Sequence, residues 1–268
     1  MVRASKEPGI KVDNRSVFAS DGGRPFDSEL PVLIFLHGAG MNHSMWALQS
    51  RYFAHHGYNV LAVDLPGHGR SEGPALTAIV DMADWVLRLV DAVDANEAAL
   101  VGHSMGTFIA LEAAAKAPER VRALGLIATG LKMPVHPELQ AAADANRHLA
   151  YELVVDWGFG ARSHFGGHRP PGLWMMGTAM RILEHDGKGS LGGDFAACAV
   201  YEGAAAAAVK VACPTIVIAG ADDRMTPPKA GRAIADKIDG ARFEIVDCGH
   251  MMMIEKPDET LDALIGTI

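Results

Sequence analysis

The pentapeptide Gly102-His103-Ser104-Met105-Gly106 lies between a short apolar run, Ala98–Val101, and an alanine-rich helical pattern that begins at Met105. This arrangement predicts a sharp turn from a buried strand into a helix, where small residues two positions before and after the serine prevent clashes. Such a turn presents the serine hydroxyl at the carboxyl end of a sheet, and the helix N-terminus behind it favours developing negative charge. An ordinary N-capping serine is the alternative. The strand before the serine and the helix after it favour a nucleophile.

Similar apolar runs recur along the chain, and each is short and rich in aliphatic residues. They are Val32–Leu36, Val60–Val63, Ala123–Ile127, Pro214–Ile218 and Arg242–Val246. Continuous rather than alternating apolarity is typical of parallel strands that helices cover on both faces. Helical patterns at about 44–56, 77–93, 104–116, 228–239 and 258–266 separate the runs. The chain therefore predicts an α/β fold with a doubly wound, mostly parallel sheet, and a short antiparallel hairpin at the sheet edge before residue 30.

The alternation breaks after about residue 130, and no strand pattern returns until after residue 208. The segment is too long for a plain loop, so we predict a helical cap at 131–208, inserted into a core formed by 1–130 and 209–268. Its large apolar side chains could line a substrate pocket or form the cap's own core. They are Trp157, Phe159, Trp174, Met175, Met176 and Met180. The candidate pocket residues are Trp157, Trp174, Met175 and, beyond the cap, Met251.

A nucleophilic serine needs a base to take its proton and an acid to orient that base. His250 is the candidate base, because Gly249-His250 follows a predicted strand and its loop lies at the same sheet edge as Ser104. The acid is expected on another such loop. The segment Gly220-Ala221-Asp222-Asp223 follows a strand and precedes a helix that begins with a proline pair. The chain order is then serine, aspartate, histidine, and either aspartate fits.

Five segments, in this order, resemble motifs of the α/β-hydrolase fold family, and the resemblance extends over roughly residues 28–268. They are His37-Gly38-Ala39-Gly40, Asp64–Ser71, Gly102–Gly106, Gly220–Asp223 and Gly249-His250. The resemblance implies that the acid is Asp223, at the fourth position of its segment, and that Asp222 is a solvated loop carboxylate. It also implies an oxyanion hole formed by the backbone N–H groups of Ala39 and Met105. No metal or organic cofactor is expected.

The expected activity is that of a serine hydrolase that cleaves carboxylic esters, with Ser104, Asp223 and His250 as catalytic residues and a small-molecule ester as the partner. The apolar cap predicts uncharged, moderately hydrophobic substrates of small to medium size. Carbon–carbon bond hydrolases, lactonases, thioesterases and perhydrolases would use the same residues and stay open as alternatives. A small-molecule receptor on the same fold is the alternative of another class. The serine at position 104 excludes relatives that use a carboxylate nucleophile.

Composition argues against several other classes of protein. The 24 basic and 32 acidic residues give a net charge of −8, which disfavours binding to nucleic acid or to an anionic membrane. The apolar runs are too short for a membrane span, and three cysteines with a polar N-terminus predict a cytoplasmic protein. We interpret His164, His168 and His185 as surface residues rather than metal ligands. Asp64 and His68 are interpreted as a pair that braces a loop, and the oligomeric state is not predicted.

Overall fold

A seven-stranded sheet forms the centre of the protein, of which the computed structural model describes residues 9–166, 174–187 and 189–268. In chain order the strands of the described residues are β1 (Lys11–Val12), β2 (Arg15–Ser16), β3 (Ala19–Ser20), β4 (Val32–Leu36), β5 (Asn59–Val63), β6 (Ala98–His103), β7 (Val121–Ile127), β8 (Thr215–Gly220) and β9 (Arg242–Val246). Strands β3 to β9 form the seven-stranded sheet. The order across the sheet is β3-β5-β4-β6-β7-β8-β9. Neighbours from β5 to β9 are parallel, and only β3 is antiparallel to its partner. The predicted doubly wound, mostly parallel sheet is confirmed.

The predicted N-terminal hairpin forms, but it is not the edge of the main sheet. Strands β1 and β2 make a separate two-stranded antiparallel sheet. Their turn places Asp13 and Asn14 at φ values of 53° and 62°, a region that these short polar residues tolerate. The backbone of Ser16 binds Glu72 in the loop after β5, through hydrogen bonds of 2.7 and 3.0 Å, so the hairpin docks on this loop. The edge of the main sheet is β3.

Helices cover both faces of the sheet. They are α1 (Ala47–Ala54), α2 (Ile79–Ala92), α3 (Met105–Lys116), α4 (Pro137–Asp144), α5 (His148–Gly158), α6 (Ala161–His164), α7 (Met175–Asp186), α8 (Leu191–Val200), α9 (Ala204–Ala208), α10 (Pro228–Ala235), α11 (Met252–Glu255) and α12 (Pro257–Ile265), with 3₁₀ turns at His43–Trp46 and Pro118–Arg120. Side chains of each strand alternate between two apolar cores. In β4, Ile34 packs with α2 and α3, whereas Leu33 and Phe35 pack with α1 and α12. Burial on both faces explains the continuous apolar runs of β4, β5, β6 and β8. The expectation is wrong for β9, where only Val246 is buried, because this strand is the other edge of the sheet.

The chain between β7 and β8 forms helices α4 to α9, and its described residues include no strand. Helix α9 packs beside α3 in one core, while α5 and α7 pack in the other. Tyr201 donates a hydrogen bond of 2.5 Å to Glu112 of α3, which ties the end of this segment to the core. The division into core and cap stays a prediction. Within the described ranges, no helix combines the length and apolarity that a membrane span requires.

Candidate active site

Ser104 stands at the turn from β6 into α3, with φ 51° and ψ −118°. Residues other than glycine rarely adopt a positive φ, so the backbone is strained at Ser104. Two glycines make the turn possible. A Cβ at Gly102 would lie 2.2 Å from the Gly106 carbonyl oxygen, and one at Gly106 would lie 2.4 Å from that of Leu36. The predicted strand-to-helix turn is confirmed, and the N-capping alternative is wrong because the Ser104 side chain does not cap α3.

His250 and Asp223 lie on the loops after β9 and β8 and are in direct contact. Nδ1 of His250 lies 2.8 Å from Oδ2 of Asp223. The other carboxylate oxygen accepts hydrogen bonds of 2.8 Å from the backbone N–H groups of Met225 and Thr226, and the Thr226 hydroxyl donates to Oδ2 at 2.7 Å. Burial alone would raise the pKa of Asp223, but His250 and Thr226 hold it below its usual value. Asp223 therefore stays ionised, so Nδ1 of His250 carries the proton and Nε2 is left to accept one.

Asp222 takes no part in this contact. Its side chain is exposed, and its backbone N–H donates to the Cys248 carbonyl oxygen at 2.9 Å. The chain turns between the two aspartates, so one carboxylate faces the buried imidazole and the other faces solvent. The contact to the histidine is made by Asp223, the residue that the family resemblance implies.

Ser104 and His250 line the same cavity. In the described part of the chain the Ser104 hydroxyl forms no hydrogen bond, to His250 or to any other group. Contacts of this kind are often loose without substrate and tighten when one binds. The neighbouring His103 contacts His250. Its Nε2–H donates to the His250 carbonyl oxygen at 3.0 Å, and the two rings meet edge to face at 4.7 Å.

The loop after β4 brings Ala39 to the cavity beside Ser104. Neither Ala39 nor Met105 donates its backbone N–H to another described residue. For Met105 the reason is its place as the first residue of α3, where no intrahelical acceptor exists. His37 anchors the loop, because its Nδ1–H donates to the Gly38 carbonyl oxygen at 2.9 Å and its Nε2 accepts the Leu65 N–H at 3.1 Å. Burial, reinforced by the nearby His68, lowers the pKa of His37 to about 4, so this ring is neutral.

The cavity consists of two adjoining chambers that share Ser104 and His250. The outer chamber has a volume of about 220 Å³ and includes Met133, His136, Leu139, Trp157 and Arg224 in its wall. The inner chamber holds only about 10 Å³, about the space of one water molecule, and is bounded by apolar side chains. These are Met41, Val154, Phe195, Met225 and Met251.

Two of the four candidate pocket residues line this cavity, Trp157 in the outer chamber and Met251 in the inner one. The other two do not. Trp174 is 70% exposed, and its ring lies across its own helix, since a Cβ at Gly177 would stand 2.0 Å from the indole. Met175 is buried in the apolar core that contains α5.

A family model described as the alpha/beta hydrolase fold matches residues 31–257 of the chain. The chain belongs to the α/β-hydrolase fold family. It is 29% identical over 242 residues to 3-oxoadipate enol-lactonase 2 of Acinetobacter baylyi (86% of this chain, 85% of that protein). It is 27% identical over 241 residues to the (E)-2-((N-methylformamido)methylene)succinate hydrolase of the same species (87% and 88%). The solved enol-lactonase from Burkholderia xenovorans LB400 has the same fold, with a TM-score of 0.84 at 24% identity over 95% of this chain and 97% of that one.

The loop after β5 of this α/β-hydrolase-fold protein is braced differently from the prediction. Asp64 accepts the backbone N–H groups of His43 and Arg70 at 2.8 and 2.9 Å and contacts His43 Nδ1 at 2.7 Å. His68 pairs instead with Asp194 of α8, with 2.9 Å between Nε2 and Oδ2. The predicted Asp64–His68 pair is wrong because the Asp64 oxygens are already taken and α8 packs a second carboxylate against the imidazole.

Three residues that sequence reasoning missed hold the site loops in place. Thr226 bridges Asp223 and His250, and Asp194 accepts the Gly40 N–H next to Ala39 at 2.8 Å. The third, Glu255, is buried. It accepts the Gly249 N–H at 3.0 Å through one oxygen, and through the other it accepts Gly160 N–H and Ser163 Oγ, at 2.9 and 2.7 Å. The only sequence signal for Glu255 is a lone acid at the end of an apolar run.

His164 and His185, which the sequence analysis interprets as surface residues, do not line the cavity. His185 is exposed and contacts Asp186 at 2.6 Å, and His164 contacts the Phe159 carbonyl oxygen at 3.3 Å. His168 lies outside the described residues. Across the described ranges, no group of three or more His, Cys, Asp or Glu side chains has the arrangement of a metal site. Burial raises the pKa of the Cys248 thiol well above its usual value, so this neighbour of His250 stays protonated.

Proposed function

We propose that the protein is a serine hydrolase that cleaves carboxylic esters through an acyl-enzyme intermediate. The observation that supports this most directly is the strained Ser104, which lines the same cavity as His250. The Nδ1 atom of this histidine contacts the buried carboxylate of Asp223. Packing alone does not require Ser104, His250 and Asp223 to lie together in this way. A serine held at a strained turn costs stability, and such strain persists where the surrounding structure serves a function.

In this proposal His250 Nε2 takes the Ser104 proton as Oγ attacks the ester carbonyl carbon. The tetrahedral intermediate then collapses, and the leaving alkoxide takes the proton back from Nε2. A water molecule next gives its proton to Nε2 and attacks the acyl-enzyme, and Ser104 leaves with that proton as the acid product departs. Asp223 stays ionised throughout, fixes the tautomer of His250 and stabilises the imidazolium form.

The negative oxygen of the tetrahedral intermediate is assigned to the backbone N–H groups of Ala39 and Met105. Both donors lack another described partner, and they flank Ser104 from the β4 loop and from the start of α3. Losing one such donor in an enzyme of this type costs about 10²–10³ in rate. Because α3 begins at Met105, its unpaired N–H groups add to the stabilisation of negative charge.

Lactone hydrolysis is the second candidate, and a specific observation favours it. One relative is named an enol-lactonase, and the same word describes the solved structure with a TM-score of 0.84. A lactone is a cyclic ester, so the proposed steps apply with the leaving alkoxide still tethered to the acyl group. A receptor that uses the same residues would release product in one burst and then stop.

The test is hydrolysis of chromogenic short-chain esters and of lactones by wild type, Ser104→Ala and a control, Ser28→Ala, at an exposed loop serine. We expect Ser104→Ala to lower kcat by about 10⁴-fold or more with an unchanged melting temperature, and the control to match wild type. A fluorophosphonate should label wild type at Ser104, with loss of fluoride, and should not label the alanine variant. Near-normal turnover by a folded Ser104→Ala protein would refute the mechanism, and a single burst without turnover would favour the receptor.

A further inference from the structure

We propose that the outer chamber binds an anionic group of the substrate, with Arg224 as the residue that selects it. This inference rests on the proposed function, since it names the class of ester or lactone that the site accepts. The substrate would combine a small acyl group, such as acetyl, with a larger part that bears a carboxylate. The expectation of an uncharged substrate, drawn from the apolar cap sequence, is revised accordingly.

The cavity divides at Ser104 into two chambers of very different volume. The inner chamber, at about 10 Å³ and with apolar walls, has room for a group no larger than a methyl. The outer chamber has about 220 Å³, so the bulk of any substrate must lie there. His136 and Arg224 belong to the outer chamber and not to the inner one. A polar group on the larger part of the substrate would therefore meet them.

Arg224 is a positively charged residue in the wall of the outer chamber. Its side chain is exposed, and its guanidinium makes no ion pair or hydrogen bond with the described residues, so it is free to bind a ligand that enters the chamber. Asp222, two positions away and exposed, does not pair with it either. The residues that line the outer chamber include no Asp or Glu, in a chain with a net charge of −8. An unpaired guanidinium on a residue of this wall offers a planar, bidentate site for a carboxylate.

His136 adds a second donor at the same chamber. Its Nδ1 accepts the Glu138 backbone N–H at 3.3 Å where it caps α4, which places the ring proton on Nε2. The ring meets Trp157 edge to face, with centroids 5.6 Å apart, so it is held against the wall of the chamber. Arg224 and His136 are thus polar residues in the wall of a chamber whose other side chains are mostly apolar, which is the pattern of a pocket that orients a substrate through few polar contacts.

The test compares 3-acetoxybenzoate with 3-acetoxybenzamide, two acetate esters of nearly equal size of which only the first is anionic. We expect wild type to have a kcat/KM about tenfold higher for the benzoate, mainly through KM, because a charge-assisted contact of this kind is worth about that factor at a partly solvated site. Arg224→Gln should abolish the preference, because it should lower kcat/KM for the benzoate about tenfold more than for the benzamide, and Arg224→Lys should restore part of the preference. The control Arg232→Gln removes the same charge at a residue that stacks on Phe243 outside the chamber.

Binding provides a readout that does not depend on turnover. Calorimetry with the Ser104→Ala protein should give tighter binding of the benzoate than of the benzamide, and addition of Arg224→Gln should remove the difference. Equal binding of the two compounds, or an Arg224→Gln effect of the same size on both, overturns the anion site. Ser104-dependent hydrolysis without anion preference would leave the proposed function intact and refute this inference. Anion-selective binding without hydrolysis would support the anion site and refute the proposed function.

Discussion

The buried pair of His68 and Asp194 predicts that Asp194→Asn destabilises the protein, and that the loss depends on pH. Each side chain is 1% exposed, and 2.9 Å separate His68 Nε2 from Asp194 Oδ2. The other ring nitrogen lies 3.1 Å from the carbonyl oxygen of Pro66, a group that can only accept a hydrogen bond. Because both nitrogens face acceptors, this geometry favours the doubly protonated imidazolium form of His68. The pair joins the loop after β5 to α8, and the same carboxylate oxygen accepts the Gly40 N–H.

The pH dependence follows from the direction of the His68 pKa shift. Burial lowers the pKa of His68, but the Asp194 carboxylate and the hydrogen bonds to Asp194 and Pro66 outweigh it and raise the pKa above the usual value. A raised pKa in the folded protein stabilises it fully below the unfolded value of about 6.5, and this contribution is lost as pH rises through the folded pKa. Asparagine keeps the volume and can still accept the Gly40 N–H, but it removes the charge. We therefore expect a loss of about 2–3 kcal/mol near pH 6, falling to about 1 kcal/mol near pH 9.

The assay is equilibrium urea unfolding of wild type and Asp194→Asn at several pH values across this range. Glu202→Gln is the control, because its pair with Lys132 is exposed and its loss should cost about 0.5 kcal/mol or less at every pH. A difference between Asp194→Asn and wild type that does not change with pH would refute the imidazolium assignment. A variant as stable as wild type near pH 6 would refute the stabilising role of the pair.

Three further predictions concern the site. Asp223→Asn should lower kcat on a chromogenic ester by about 10³–10⁴-fold, whereas Asp222→Asn should stay within about twofold; the reverse order would exchange their roles. Gly106→Ala should lower the free energy of unfolding by about 3 kcal/mol or more, because its Cβ would lie 2.4 Å from a backbone oxygen. Gly193→Ala, in open space on α8, is the control and should not destabilise. Iodoacetamide should leave hydrolysis unchanged, since burial keeps the Cys248 thiol protonated, and inhibition that follows Cys248 alkylation would contradict this.

The sheet and the loops that carry Ser104, Asp223 and His250 could be predicted because their signals are local. Strands such as β4 are buried on both faces, so they appear as unbroken apolar runs, and the strained turn at Ser104 requires glycines at fixed positions. The choice between Asp222 and Asp223 had no such signal, because adjacent residues share one loop and differ only in the direction of their side chains. It depended on the family resemblance. In the structure, Asp223 is buried against His250 and Asp222 is exposed.

The remaining features depend on contacts between distant residues, which leave no local pattern. Asp194 bonds groups 126 and 154 positions away, and its own helix is rich in glycine and alanine. Gly158, at the end of α5, accepts the His250 N–H at 2.8 Å through its carbonyl oxygen. The segment proposed as a cap therefore binds both the loop after β4, through Gly40, and the loop that carries His250. A segment that only covered the substrate would not need these bonds, so its sequence should affect kcat as well as KM. The five motifs predict the reaction class because they contain the residues around Ser104. They do not predict the substrate, because most residues in the wall of the outer chamber belong to the segment 131–208, whose contacts with the rest of the chain leave no pattern in the sequence.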